Sequence, residues 1–118
     1  MAQFRFQSLE IWQQAFQIAN KLYDIADGLE NKKLYRFAEQ LRGAGMSLTN
    51  NIAEGSGSTS NKEFIVFLNY TRRSIFECVN ILITITYRNM LSKDIQDQLI
   101  EDLDLLSRKV ITFSRTLN

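Results

Sequence analysis

Histidine and proline are both absent from the 118 residues, and cysteine occurs once, at Cys78. Without histidine the chain lacks the commonest general base and the commonest metal ligand. Without proline no position is barred by ring geometry from continuing a helix. Glycine is scarce too, at five residues, so few points favour a break. A lone cysteine excludes an internal disulfide and suits a reducing compartment. The net charge of +1 argues against strong overall attraction to nucleic acid, although it leaves room for a local basic patch. The longest apolar-looking run, "VNILITITY" from Val79, is far shorter than the ~20 residues a membrane helix needs. The opening "MAQFRFQSLEIWQQ" shows no apolar h-region and no small-residue cleavage site, so no secretory signal is expected. The expectation is a soluble cytoplasmic protein without membrane association.

What is present is apolar spacing of three and four residues in four segments, at about 8–28, 33–54, 60–90 and 92–117. The first carries two adjacent stripes, Leu9, Trp12, Phe16, Ala19, Tyr23, Ala26 and Ile11, Ala15, Ile18, Leu22, Ile25, Leu29. Ser8 is its expected N-cap and Gly28 its expected stop. The second runs Leu34, Ala38, Leu41, Gly45, Leu48, Ile52 and should stop at Gly55. The third alternates strictly through Phe64, Leu68, Thr71, Ile75, Cys78, Leu82 and Ile85. The fourth runs Ile95, Leu99, Leu103, Leu106, Val110, Phe113, Leu117. Its first half is acidic and its second half basic, which complements a helix dipole without any ligand. The β-branched run "VNILITIT" could also form a buried strand, but it has no partner strand and reads as helix. The spacing predicts an all-α, antiparallel up-down-up-down four-helix bundle in a single domain over 1–118.

The interruption "NNIAEGSGSTSNKEFIVFL", Asn50 to Leu68, raises the question of a phosphate loop. A P-loop needs G-x-x-x-x-G-K-[ST] between a strand and a helix; here both spacing and context fail. The stretch reads instead as a corner. Gly55 takes the left-handed conformation that ends a helix. Ser60 and Glu63 then form a capping box that starts the next one. Asn51, at the edge of its stripe, should hydrogen-bond a neighbouring helix or cap orphan carbonyls.

The segment "QLRGAGMSLTNNIAEGSGSTSNKEFIVFL" resembles the signature of the four-helix-bundle proteins encoded in intervening sequences of bacterial 23S ribosomal RNA genes. The matching positions are Gln40, Leu41, Arg42, Ser47, Leu48, Asn51, Ile52, Ala53, Glu54, Gly55, Lys62, Glu63, Phe64, Phe67 and Leu68. "LEIWQQAFQIANKLYDIA" looks like the family's first helix, so the resemblance covers Leu9 to about Leu82. The chain departs from the pattern at Gly43, where a second arginine is common, and at Arg73, where glycine is usual. It also lacks the proline common after Gly28. The resemblance implies a left-handed bundle, often a homopentamer, with no family active site to carry over. It also implies a similarity to the accessory protein of diversity-generating retroelements, a pentameric bundle that works with a reverse transcriptase and binds nucleic acid. Asn51, Glu54, Gly55, Ser60, Glu63 and Phe64 are then the structural family motif.

Surplus apolar residues on the third helix, Ile65, Phe76, Val79 and Ile83, are the expected subunit contacts. The basic residues Lys32, Lys33, Arg36, Arg42, Arg72, Arg73 and Arg88 are the candidates for contact with RNA or DNA. Against that, Arg73 with Glu77 and Arg36 with Glu39 are spaced to pair on a helix surface. Phe4, Phe6 and Tyr35 read as packing residues. Cys78, in an apolar stripe without a base, reads as an inert small hydrophobe. No nucleophile–base pair, di-iron motif or EF-hand is present, so no catalytic residue, metal or cofactor is expected. The sequence is therefore read as a non-enzymatic homo-oligomeric scaffold that binds protein partners. The alternative is a nucleic-acid-binding accessory protein acting with RNA or a reverse transcriptase.

Overall fold

The computed structural model describes residues 1–118. A short 3-10 turn at Arg5–Ser8 precedes α1 (Glu10–Asn31), α2 (Tyr35–Ser56), α3 (Asn61–Tyr87) and α4 (Lys93–Arg115). There is no strand, and the "VNILITIT" run lies in α3. Each helix packs on the next and α4 returns to α1, which gives the predicted four-helix bundle. The 4,3 stripes become the core because each puts its apolar residues on one face. On α3 the whole stripe from Phe64 to Ile85 is buried, Thr71 and Cys78 included. On α4 the stripe holds from Leu99 to Val110, but Ile95 is exposed and Gln96 is buried instead. On α1 the Ile11–Leu29 stripe faces the core except for half-buried Ile25. In the stripe beside it Phe16 is exposed and stacks on Trp12, with ring centroids 4.9 Å apart.

Two of the expected helix ends lie elsewhere. Ser8 belongs to the 3-10 turn, where its hydroxyl donates to the Arg5 carbonyl, and Leu9 occupies the N-cap of α1. Gly28 is an ordinary helical residue, and α1 runs on to Asn31. It ends in a Schellman motif, with Leu34 N–H donating to Leu29 O (2.9 Å) and Lys33 N–H to Glu30 O (2.8 Å). Lys33 takes the left-handed conformation at φ 64°. The end of α3 repeats the motif around Asn89 at φ 62°, with Met90 N–H donating to Ile85 O (2.8 Å). In both motifs the next residue, Leu34 or Met90, packs against the core. That apolar contact decides where the chain turns, at a lysine and an asparagine instead of a glycine.

Gly55 is not a left-handed stop either. It is buried within α2, and no glycine in the chain has positive φ. The helix ends one residue later and Gly57 caps it at φ −85°. At the start of α3 the Ser60 hydroxyl accepts from Glu63 N–H at 3.1 Å, as expected, but no bond returns from the Glu63 carboxylate. Half of the capping box forms.

The core holds one orphan polar atom. Thr71 is fully buried and its hydroxyl has no partner. Thr71→Val keeps the β-branched shape and removes the unpaired group, so it should stabilise the fold by about 1 kcal/mol. Urea denaturation measures this; a destabilised variant would mean that the hydroxyl finds an acceptor.

Candidate interaction surfaces

The outer face of α3 is the first surface. Ile65, Arg72, Phe76, Val79 and Ile83 recur at helical spacing and share one side of the helix. Phe76 is 66% exposed and Ile83 49% exposed, while Val79 and Ile65 are half-buried. Between α3 and α4 this face opens into two partly enclosed clefts of about 270 Å³ each. One is lined by Ile75, Phe76, Val79, Ile100, Asp104 and Ser107, the other around Ile65, Arg72, Ile111 and Arg115. The structure thus brings the four expected subunit contacts to one α3–α4 surface.

The basic candidates separate into different environments. Lys32, Lys33 and Arg36 sit at the α1–α2 connection and Arg88 at the α3–α4 connection. The helices alternate in direction, so both connections lie at the same end of the bundle. None of these four cations forms an ion pair. Two tyrosines accompany them, Tyr35 at 56% and Tyr87 at 87% exposure. Tyr35 is therefore not the packing residue expected of it. Phe4 is also exposed, whereas Phe6 does pack, against Trp12 at 5.1 Å.

Arg42 is taken out of the set. Its guanidinium reaches Asp27 at 2.7 Å and both Glu30 and Glu39 at 3.0 Å, tying α2 to α1. These hydrogen bonds, the one to Asp27 foremost, raise its pKa still further. The expected Arg36–Glu39 and Arg73–Glu77 pairs do not form; Glu39 serves Arg42 instead. Arg72 is half-buried in the groove, and Arg73 is exposed beside it without an ion pair. Sixteen residues of helix, about 24 Å, separate Arg72 from Arg88, so a contact reaching both would have to run along more than half of α3.

Elsewhere charge ties helices together. Lys109 on α4 reaches Glu10 at 2.6 Å and Lys21 on α1 reaches Asp102 at 3.5 Å. The hydrogen bond from Lys109 lowers the Glu10 pKa. Along α4 Lys93 pairs with Asp97 and Arg108 with Asp104. Burial, with Glu77 adding to it, pushes the Cys78 thiol up to about 12, so it carries no thiolate near neutrality. Asn51 donates to Ser47 O at 2.9 Å within its own helix, not to a neighbouring helix or an orphan carbonyl. Glu54 is exposed.

Sequence reading missed the Arg42 cluster and the isolation of Arg72. The three-residue spacing of Glu39 and Arg42 was a visible signal for the first; the partners on α1 were not, because they depend on how α1 and α2 pack.

A family model described as 23S rRNA-intervening sequence protein matches residues 7–112, which extends through most of α4. A crystal structure of a protein of unknown function from the S23 ribosomal protein family of Bacteroides thetaiotaomicron superposes with a TM-score of 0.83. It is 17% identical, and the alignment covers 88% of this chain and 97% of that one, a likeness of fold. No curated protein matches the sequence.

Proposed function

Because the chain belongs to the 23S rRNA-intervening sequence protein family and leaves one helix face apolar in water, we propose that it is a non-enzymatic scaffold that assembles with copies of itself. The observation that carries this is the exposed Phe76 and Ile83 beside Val79 on α3. A bundle helix needs one buried face, and this second one lowers its free energy only when another surface covers it. A closed ring would repeat the same contact around an axis, and five copies is the stoichiometry that the sequence resemblance implies. Burial raises the Cys78 thiol, so this residue offers no ready nucleophile. No helix is long and apolar enough to cross a membrane.

Light scattering tests the assembly. The expected mass is several multiples of 13.7 kDa, falling to one chain in Phe76→Asp/Ile83→Asp with helical circular dichroism unchanged. A wild-type chain that stays monomeric at high concentration would sink the reading.

A second reading has its own observation. Lys32, Lys33, Arg36 and Arg88, all without ion pairs, share one end with exposed Tyr35 and Tyr87. Such an end can neutralise phosphates and stack bases. Labelled single-stranded RNA and duplex DNA, titrated at about 50 and 200 mM salt, test it. Binding should weaken steeply with salt and be lost in Lys32→Glu/Lys33→Glu/Arg88→Glu. Absence of binding at the lower salt would remove this reading and leave the scaffold.

A further inference from the structure

A second apolar surface lies across the bundle from the α3 face. Helical spacing puts Trp12, Phe16 and Tyr23 on one side of α1, and the Tyr23 hydroxyl 3.7 Å from Met46 Sδ shows that this side adjoins α2. The rings of Phe4, Phe6, Trp12 and Phe16 follow one another with centroids 6.3, 5.1 and 4.9 Å apart. Phe4, Phe16 and Met46 are exposed. Because α1 and α3 stand on one diagonal of the bundle and α2 and α4 on the other, the α1–α2 and α3–α4 faces point away from each other. They also differ in charge. On the α1–α2 face three carboxylates, Asp27, Glu30 and Glu39, share one guanidinium, Arg42, which leaves two negative charges in excess. On the α3–α4 face Arg72, Arg73 and Arg115 have no ion pair. The one carboxylate lining its two clefts, Asp104, is held by Arg108 at 2.9 Å.

We infer that copies of the chain pack head to tail, the α3 face of one against the aromatic α1–α2 face of the next. This rests on the self-assembly proposed above and names the surface that receives Phe76 and Ile83. A two-fold contact of α3 on α3 would bring two arginine-bearing faces together and leave the aromatic stack in water. Head-to-tail packing covers both apolar surfaces and sets positive charge against negative. The cleft beside Phe76, Val79 and Ile100 is open space of about 270 Å³, into which an aromatic side chain of the neighbour can insert as an anchor. Since the two faces are different, the contact is heterologous, and the rotation it imposes decides between a closed ring and an open filament.

Light scattering and NMR on a second double variant supply the test. Phe16→Glu/Met46→Glu should reduce the assembly to single chains, as Phe76→Asp/Ile83→Asp does, with helical circular dichroism unchanged. An equal mixture of the two variants restores one intact contact, so mass should rise to two chains and stop there. Unlabelled Phe76→Asp/Ile83→Asp should saturably shift the amides of residues 79–83 in labelled Phe16→Glu/Met46→Glu. With the labels exchanged, residues 12–16 and Met46 should move instead. Should the new variant lose helicity, Phe4→Glu, outside the helices at the start of the stack, carries the same comparison. Wild-type mass in the α1–α2 variants would overturn head-to-tail packing and leave self-assembly standing, as would a mixture without shifts. A monomeric wild type would remove both.

Discussion

Gly55→Ala is expected to lower the stability of the fold by about 2–3 kcal/mol, although alanine is the better helix former by about 1 kcal/mol. A Cβ built on Gly55 would stand 2.6 Å from Phe67 Cβ and 2.8 Å from Phe64 Cδ1. The first of these atoms is fixed to the α3 backbone, so no rotamer change relieves the clash. The α2 and α3 backbones would have to separate, and every contact between them near the corner would loosen. The control is Gly28→Ala, another helical glycine, whose new methyl would meet nothing within 4 Å. That variant should gain about 0.5–1 kcal/mol from propensity and reduced chain entropy. Thermal or chemical denaturation of the two variants gives opposite signs if Gly55 is there for close approach. A Gly55→Ala protein as stable as wild type would instead make the residue a mere helix breaker.

Phe64→Ala is expected to cost about 3–5 kcal/mol, among the largest penalties any truncation here would carry. The side chain is 1% exposed and fills the wedge that Gly55 opens between α2 and α3. Its ring meets Phe113 edge-on at 5.6 Å, linking α3 to α4, and Arg5 lies 5.2 Å above it. Truncation removes buried area, the aromatic pair and the cation contact together. The midpoint of thermal unfolding should fall by more than about 10 °C. Because Gly55 and Phe64 touch, their effects should not add. Gly55→Ala in a Phe64→Leu background should cost measurably less than alone, since one of its two close contacts is gone. Full additivity would show that Phe67 alone sets the approach distance.

These two residues also show how much of the molecule was legible beforehand. Both belong to the N-I-A-E-G and K-E-F pattern that carried the family resemblance, and both were read as structural. Phe64 lay where the stripe put it. Gly55 was read as a left-handed stop, because a glycine near a helix end has two uses and local sequence cannot separate them. The same ambiguity misplaced the end of α1 at Gly28. In each case the deciding factor was packing: Phe64 and Phe67 press on Gly55, and Leu34 enters the core, which places the left-handed residue after α1 at Lys33.

The charged residues divide the same way. The exposed apolar face on α3 could be listed from spacing alone, since a single helix fixes which residues share a side. The basic residues could not be grouped, because their neighbours lie on other helices. Only the bundle gathers Lys32, Lys33, Arg36 and Arg88 at one end, spends Arg42 on Asp27, Glu30 and Glu39, and leaves Arg72 in a cleft without a carboxylate. By itself the sequence determined four helices, their order and the stripes they bury, because helical periodicity and burial are properties of single segments. The tertiary structure decided where helices end, why Gly55 is glycine and which cations remain free, because each depends on distances between segments far apart in the chain.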